Sequence, residues 1–274
     1  MNYKILILSN KENDEHIEDI YLAESIKKDG NIVDLAWVDY DEQLDEKYDV
    51  IIRRNTWVEE FEQIERFAKL NKLLEERLEK KNIKTVNLVG LDGKGKKYLI
   101  EFMKKGFSVI PTFDNVEDAL NKTNSSEYIL KMEDSYGSGL GQLVVKKEKL
   151  VEEFKEGYLI QPKLKFKSEI QSYFVGNKLM YVFEYIPSKY PNYPDPISIT
   201  LSEEQKNIAC SIANESGLKV GFQRIDFIRL ENDDLLLLEI EDNSPHMSLE
   251  ELDENFRDKV LEEYKKILYE YIEN

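Results

Sequence analysis

The chain has a single cysteine in 274 residues. Cys210 therefore closes no internal disulfide and cannot build a thiolate metal site; it falls in a helical pattern and reads as a small core residue. No apolar run approaches the roughly 20 residues that a membrane-spanning helix needs, so no membrane partner is expected. Positive charge is scarce too, with 38 Lys and Arg against 55 Asp and Glu, a formal net charge of −17. A general nucleic-acid binder needs clustered Lys and Arg, so no nucleic-acid partner is expected. An anionic nucleotide can still bind where local cations reverse the field. The N-terminal M-N-Y-K-I-L-I-L-S-N has a short apolar run followed at once by charge. It reads as a first strand and not as a signal peptide, and a cytoplasmic location is expected.

What is present first is an alternation of strands and helices. Residues 4–8 read as a buried strand, about 14–29 as a helix stopped by Gly30, and 32–38 and 49–52 as two more strands. That order predicts a small open α/β lobe, in which ligand groups gather at the carboxyl ends of strands. Arg53 or Arg54 could there meet an anionic substrate, or equally form a surface salt bridge. Apolar residues at helical spacing over 61–78 predict an amphipathic helix against a core. A strand over 84–87, a glycine loop over 90–95, a helix over 96–105, a short strand over 109–112 and a C-terminal helix over about 255–271 follow. The stretch 188–198, with Pro191, Pro194 and Pro196, reads as a loop or lid.

The stretch that stands out is 223–246, Q-R-I-D-F-I-R-L-E-N-D-D-L-L-L-L-E-I-E-D-N-S-P-H. Two apolar runs flank Asn232-Asp233, which predicts a hairpin. With those two residues as the loop, Asp226 lies opposite Glu239 and Arg224 opposite Glu241, all on one face. Directly opposed residues sit roughly 5 Å apart, so three carboxylates and a guanidinium crowd one patch. Such a patch calls for a cation, and hard divalent ions take oxygen ligands. A solvated acidic hairpin is the competing reading. His246, just beyond on the same segment, can face a substrate or simply pack.

Two further elements can serve a nucleotide. Residues 126–145 read as a strand ending in Lys131, a turn with Gly137, Ser138, Gly139 and Gly141, and a second strand. Backbone N–H groups of such a turn can close around phosphate oxygens. A strand follows it and not a helix, so it is neither a Walker loop nor a Rossmann fingerprint. The strand 158–164 runs into Pro162, and the strand 168–175 carries Glu169. A proline-bent connection there can hold an adenine edge and Glu169 a ribose, though a plain inter-strand bend explains both.

Taken in order, a lysine opening a helix, a strand lysine before a glycine loop, a hinge strand with a glutamate beyond it, then R-x-D, thirteen residues and E-x-E resemble the ATP-grasp superfamily of carboxylate–amine ligases. The wording is similar to the glutathione-synthetase-like branch that includes the cycloserine-biosynthesis ATP-grasp protein. The resemblance covers roughly residues 84–250. It implies an α/β ATP-grasp fold: a small N-terminal substrate lobe over 1–90, then two α+β lobes sandwiching ATP. The central lobe, 91–164, would carry the glycine loop, and the C-terminal lobe, 165–274, the metal site. It implies that Lys96, Lys131, Gly137, Ser138 and Gly139 meet the phosphates, that Gln161, Lys163 and Leu164 contact adenine, and that Glu169 binds the ribose. Asp226, Glu239 and Glu241 would hold magnesium, with two ions expected and Mn²⁺ as a substitute, and Arg224 would face the phosphates. Many relatives end in E-x-N where this chain has Glu239-Ile240-Glu241, which leaves Asn243 as a substitute ligand.

The reaction so implied activates a carboxylate as an acylphosphate at the expense of ATP and joins it to an amine, both small molecules of amino-acid or peptide-like type. Two other readings compete with it. One is an ATP-grasp enzyme passing its acyl or phosphoryl group to a non-amine acceptor; the other is a non-catalytic nucleotide-binding module. Many relatives are oligomers, so a homodimer is open, though no apolar stripe demands one.

Overall fold

The computed structural model describes residues 2–9, 17–36, 47–55, 72, 76, 83–88, 90–133, 141–187 and 195–274. The expected helix over 61–78, the turn glycines Gly137 and Gly139 with Ser138, and residues 188–194 of the expected lid lie outside the described residues, apart from isolated helical positions at Lys72 and Glu76.

The first sheet is parallel. Strands β1 (Lys4–Leu8), β2 (Ile32–Ala36), β3 (Val50–Arg53) and β4 (Lys84–Val86) lie in the order β2-β1-β3-β4. Ile5, Leu6, Ile7 and Leu8 are all fully buried, as expected of a strand with both faces covered. Helix α1 (Ile17–Lys28) supplies the crossover and ends where Gly30 takes φ 85. The N-terminal lobe therefore has the open α/β form read from the alternation.

A three-stranded antiparallel sheet follows, β5 (Glu127–Met132), β6 (Leu143–Lys146) and β7 (Tyr158–Pro162), in the order β6-β5-β7. One face, with Tyr128, Leu130, Val145 and Ile160, packs with Phe113 and Ala119. Helices α2 (Tyr98–Lys104) and α3 (Val116–Lys122) precede it and the one-turn α4 (Leu150–Glu153) interrupts it. The expected strand over 109–112 does not form. Val109 makes a parallel bridge to Leu237 and Phe113 an antiparallel bridge to Ile160. The segment crosses from the large sheet to the small one and stays beside neither.

The large sheet joins β8 (Ser168–Val175), β9 (Lys178–Tyr185), β10 (Ile197–Ser198), β11 (Phe222–Arg229) and β12 (Leu235–Glu241) in the order β10-β9-β8-β11-β12. Helix α5 (Glu203–Ser216) covers one face, its Ala209 and Ile212 sharing a core with Ile225, Phe227, Leu237 and Ile240. Ser202 and Gln205 form a capping box at its start. Helix α6 (Glu254–Glu273) joins the other face to the N-terminal sheet: Tyr264 and Leu268 share one core with Ile5, Ile7, Tyr173 and Phe222. Asn87, at φ 57, ties β4 to the hairpin by donating to the carbonyls of Phe222 and Asp242, each at 2.7 Å. Gly221, at φ 123, lies against the Asn87 side chain, where a Cβ would clash.

Candidate active site between the two sheets

The hairpin of β11 and β12 has the expected site register but not the expected turn. Asp233 donates to the Leu230 carbonyl at 3.0 Å and Leu230 to Asp234 at 2.9 Å, so the loop has three residues, and only Asp233 takes positive φ. Such a loop alone would set Glu239 opposite Ile225, on the α5 core face. A bulge intervenes: Asp226 pairs with Glu239 but Phe227 with Leu237, leaving Leu238 as the extra residue. One inserted residue flips every later side chain of a strand to the other face. Glu239 and Glu241 thereby join Asp226 and Arg224, with Asp226 opposite Glu239 and Arg224 opposite Glu241.

The carboxylates meet closely, with oxygens of Asp226, Glu239 and Glu241 all within 4.8 Å of one another. Arg224 donates from Nε and Nη2 to Asp226 at 2.9 Å each, from Nη2 to Glu241 at 2.6 Å, and from Nη1 to the His246 carbonyl at 3.2 Å. Lys96, just before α2, reaches Glu239 with its ammonium at 2.5 Å. Lys131, on β5, is also buried and lies within the field of Glu239 and Glu169. Lysines ahead of α2 and on the small sheet thus converge on carboxylates of the large one.

Burial and charge divide the titration of this cluster. Lys96 holds Glu239 down to about 2 against the opposing effect of burial. Burial pushes Glu241 up to about 8, with Asp226 and Glu239 adding to it and Arg224 opposing, and it raises Asp226 as well. Burial lowers Lys131. Lys96 resists the same penalty because Glu239 and Asp92 raise it above its ordinary value. Glu169, on β8, is raised by burial and then by Asp226 and Glu239. Carboxylates outnumber cations, and the donors are hard oxygens at mutual ligand distance, so the residues fit a divalent ion of the magnesium type.

The remaining predicted residues fall around this centre. Gln161 and Lys163 lie along the same face of the small sheet as Lys131, by the pairing of β5 with β7. The Gln161 side chain is buried and donates to Thr112 Oγ1 at 3.0 Å, while Lys163 pairs with Glu127 at 2.9 Å near solvent. Leu164 follows on the connection to β8, half-buried. Asn243 is buried, its Oδ1 has no hydrogen-bond partner among the described residues, and its amide lies against Gly93.

Several residues were not singled out in the sequence. Asp92, in the loop before Lys96, is pushed up to about 7 by burial, with Glu239 and Asp242 adding to it and Lys96 opposing. Asp242 accepts from the backbone N–H groups of Leu91 and Asp92 at 2.8 and 3.1 Å, which anchors that loop. Gln171 and Tyr173 share Glu169's face of β8, where Tyr173 donates to Gln171 at 2.6 Å. The period-2 alternation from Glu169 was the signal available for both.

Arg54 forms a salt bridge, but a buried one and not the surface pair expected. It is buried, its guanidinium bonded to Glu18, to Asp19 at 3.0 Å and to the Pro245 carbonyl at 2.9 Å. Arg53 is buried as well and donates to the Leu88 carbonyl at 3.2 Å. The His246 ring lies 3.2 Å from Glu250, and Cys210 is half-buried on α5.

No helix among the described residues is long and apolar enough to cross a membrane. No protein-family model matches the chain, and no curated protein matches it by sequence. Solved structures do match over nearly its whole length. D-cycloserine synthetase DcsG superposes with a TM-score of 0.76 at 16% identity, covering 98% of this chain and 99% of that one. A RiPP-associated ATP-grasp ligase of Chryseobacterium gregarium, in complex with ADP and a leader and core peptide, gives 0.69 at 19%, covering 99% and 97%. D-alanine–D-alanine ligase of Bacillus anthracis gives 0.64 at 16%, covering 99% and 96%. With a parallel N-terminal sheet and two antiparallel sheets facing each other across the Lys96–Glu239 contact, the resemblance read from the motifs is borne out: the chain has the ATP-grasp fold.

Proposed function

We propose that the protein is an ATP- and Mg²⁺-dependent ligase that activates a carboxylate as an acylphosphate and joins it to an amine. The observation that carries this reading is the trio Asp226, Glu239 and Glu241, with oxygens within 4.8 Å and three cations, Lys96, Lys131 and Arg224, grouped around it. Asp226, Glu239 and Glu241 would hold Mg²⁺, with Asn243 as the reserve ligand. When bound, the ion would supply neutralisation of phosphate charge.

The chemistry asks little covalent work of the side chains. A substrate carboxylate oxygen bonds to the γ-phosphorus of ATP while the bond to the ADP oxygen breaks. The amine then bonds to the acyl carbon, phosphate leaves, and the amine proton passes to phosphate or water. Both steps build charge on phosphate oxygens, so positioning and neutralisation dominate. Lys96, Lys131 and Arg224 offset that charge. Gln161, Lys163 and Leu164 border the adenine through the chain connecting the two sheets, and Glu169 accepts from the ribose hydroxyls. Gly137, Ser138 and Gly139 would, as the motif implies, meet the phosphates and help keep water from the acylphosphate. In this reading residues 1–90 form the substrate lobe, 91–164 the central lobe and 165–274 the metal-bearing lobe.

The likeness to a D-cycloserine synthetase, a D-alanine–D-alanine ligase and an ATP-grasp ligase in complex with a leader and core peptide supports an amino-acid or peptide-like substrate. An ADP-release screen of amino acids and dipeptides as paired substrates, with Mg²⁺ and ATP, tests the reading. Amine-dependent ADP release is the expected result, and amine-independent release points to another acceptor. Glu239→Gln should bind nucleotide without turnover. If Mg²⁺ and ATP fail to raise the melting temperature of the purified protein, the reading is wrong.

A further inference from the structure

Residues 242–249 leave β12 and pass between the N-terminal sheet and the large sheet, and bonds from both sides fix their backbone. The Asp242 carbonyl accepts from Asn87 and the Ser244 hydroxyl donates to the Arg54 carbonyl. The Pro245 carbonyl accepts from Arg54 Nη1 at 2.9 Å. The His246 carbonyl accepts from Arg224 at 3.2 Å. The Met247 N–H donates to both Glu18 oxygens, at 2.9 and 3.1 Å, and the Leu249 N–H reaches the same carboxylate at 3.5 Å. The Ser248 hydroxyl lies 3.2 Å from that of Tyr173 on the site-bearing face.

Arg54 and Glu18 thus grip the segment immediately before and after the carbonyl that meets Arg224. A second link runs beside it, because the Arg54 guanidinium also stacks 4.9 Å from the ring of Phe222, two residues ahead of Arg224 on β11. Apolar residues often replace a buried ion pair without loss of stability, so stability alone does not account for one. They cannot replace what these two do, which is to hold a backbone carbonyl and two backbone N–H groups in fixed directions. Asp19, Ser9 and Asn55 hold Arg54 in turn: Arg54 Nε and Asn55 donate to Asp19 at 3.0 and 3.2 Å, and the Ser9 hydroxyl donates to it as well; the His246 ring lies 3.8 Å from Glu18.

We propose that Arg54 and Glu18 are positioning residues. They set the 245–249 backbone so that the His246 carbonyl fixes the plane of the Arg224 guanidinium, coupling the N-terminal lobe to the site on the large sheet. The catalytic consequence rests on the ligase reading; the positioning itself does not.

The test uses the full chain carrying Arg54→Met together with Glu18→Gln, which removes both charges at once and leaves Asp19 its bonds from Ser9 and Asn55. Arg54→Lys serves as a second variant, retaining the charge without the fork that spans Glu18, Asp19 and Pro245. Two readouts are followed: the ¹H–¹⁵N resonance of Arg224 Nε, identified by its loss in Arg224→Lys, and steady-state kinetics. The expected result is a displaced resonance with faster N–H exchange, and a kcat lower by about 10- to 100-fold with the KM for ATP nearly unchanged. A role in stability alone would lower the melting temperature and leave both readouts as in the parent. An Arg224 resonance at its parental position in either folded variant overturns the proposal, as does parental kcat where the resonance has moved. If the parent itself shows no amine-dependent ADP release, the ligase reading falls separately and the resonance alone decides the positioning.

Discussion

Two buried arginines in this molecule each carry two carboxylates, and they are built for different work. Arg54 holds Glu18 and Asp19 with side chains no more than 1% exposed; bonds of the cluster also run to Ser9, Asn55 and loop backbone, and the His246 ring lies 3.8 Å from Glu18. Arg224 holds Asp226 and Glu241, but the Glu241 side chain is 23% exposed and Glu239, Lys96 and Lys131 stand beside it. The first is a sealed joint, satisfied by the chain itself. The second carries surplus carboxylate at ligand distance on a face that meets the small sheet. An ion cluster that ends mainly on backbone atoms holds structure, whereas one that ends mainly on more ions is poised for a charged ligand.

Chelation should separate the two most sharply. Removing divalent cations with EDTA is expected to abolish turnover and the rise in melting temperature caused by ATP, while leaving the ligand-free melting temperature unchanged. A fall in that temperature on chelation would show that the metal also supports the fold. Next, Arg54→Met alone leaves Glu18 and Asp19 without their counter-charge and should cost about 3–5 kcal/mol in urea-unfolding measurements. A loss under about 1 kcal/mol would mean that the joint tolerates bare carboxylates. Glu241→Gln is the contrasting change. It relieves crowding among three carboxylates, so the ligand-free protein should melt no lower than the parent, while turnover falls by about 10²–10³-fold. Equal destabilisation by Arg54→Met and Glu241→Gln would erase the distinction between the clusters.

The same comparison shows which parts of the molecule were legible in the sequence. The Arg224 cluster was, because period-2 alternation on a hairpin fixes which side chains share a face. Yet the register held only through two offsetting departures, a three-residue loop in place of two and the Leu238 bulge, and neither leaves a mark in L-L-L-L-E. The open α/β form of the N-terminal lobe was legible from its alternation of apolar strands with a helix. Strand β9 was not, since K-L-M-Y-V-F-E-Y has apolar residues on both faces and shows no alternation. The Arg54 joint was illegible for a different reason. Its partners lie 35 and 191 residues away in sequence, and only the packing of α1 and the 245–249 segment against β3 brings them together. Ionic contacts of that range carry no local period, so an arginine that ends a strand looks the same whether it meets a ligand or the chain.

The sealed joint should also have a pH signature opposite in sign to that of an ordinary salt bridge. Burial raises Asp19 from 3.8 to about 6, with Glu18 adding to the shift and Arg54, Ser9 and Asn55 opposing it. A carboxyl whose folded pKa is raised binds more protons in the folded state than in the unfolded one between those two values. Its stabilising contribution is complete below pH 3.8 and is lost as pH rises through about 6. Between pH 5 and 7 the loss amounts to about 1 kcal/mol. Asp19→Asn cannot titrate, and its misplaced amide will lower stability at every pH, so only the slope is informative. The stability difference between parent and variant, from urea unfolding at pH 5 and pH 7, should narrow by about 1 kcal/mol at the higher pH. A difference that widens instead would mean that Arg54 outweighs burial at Asp19 and that the joint behaves as a conventional ion pair.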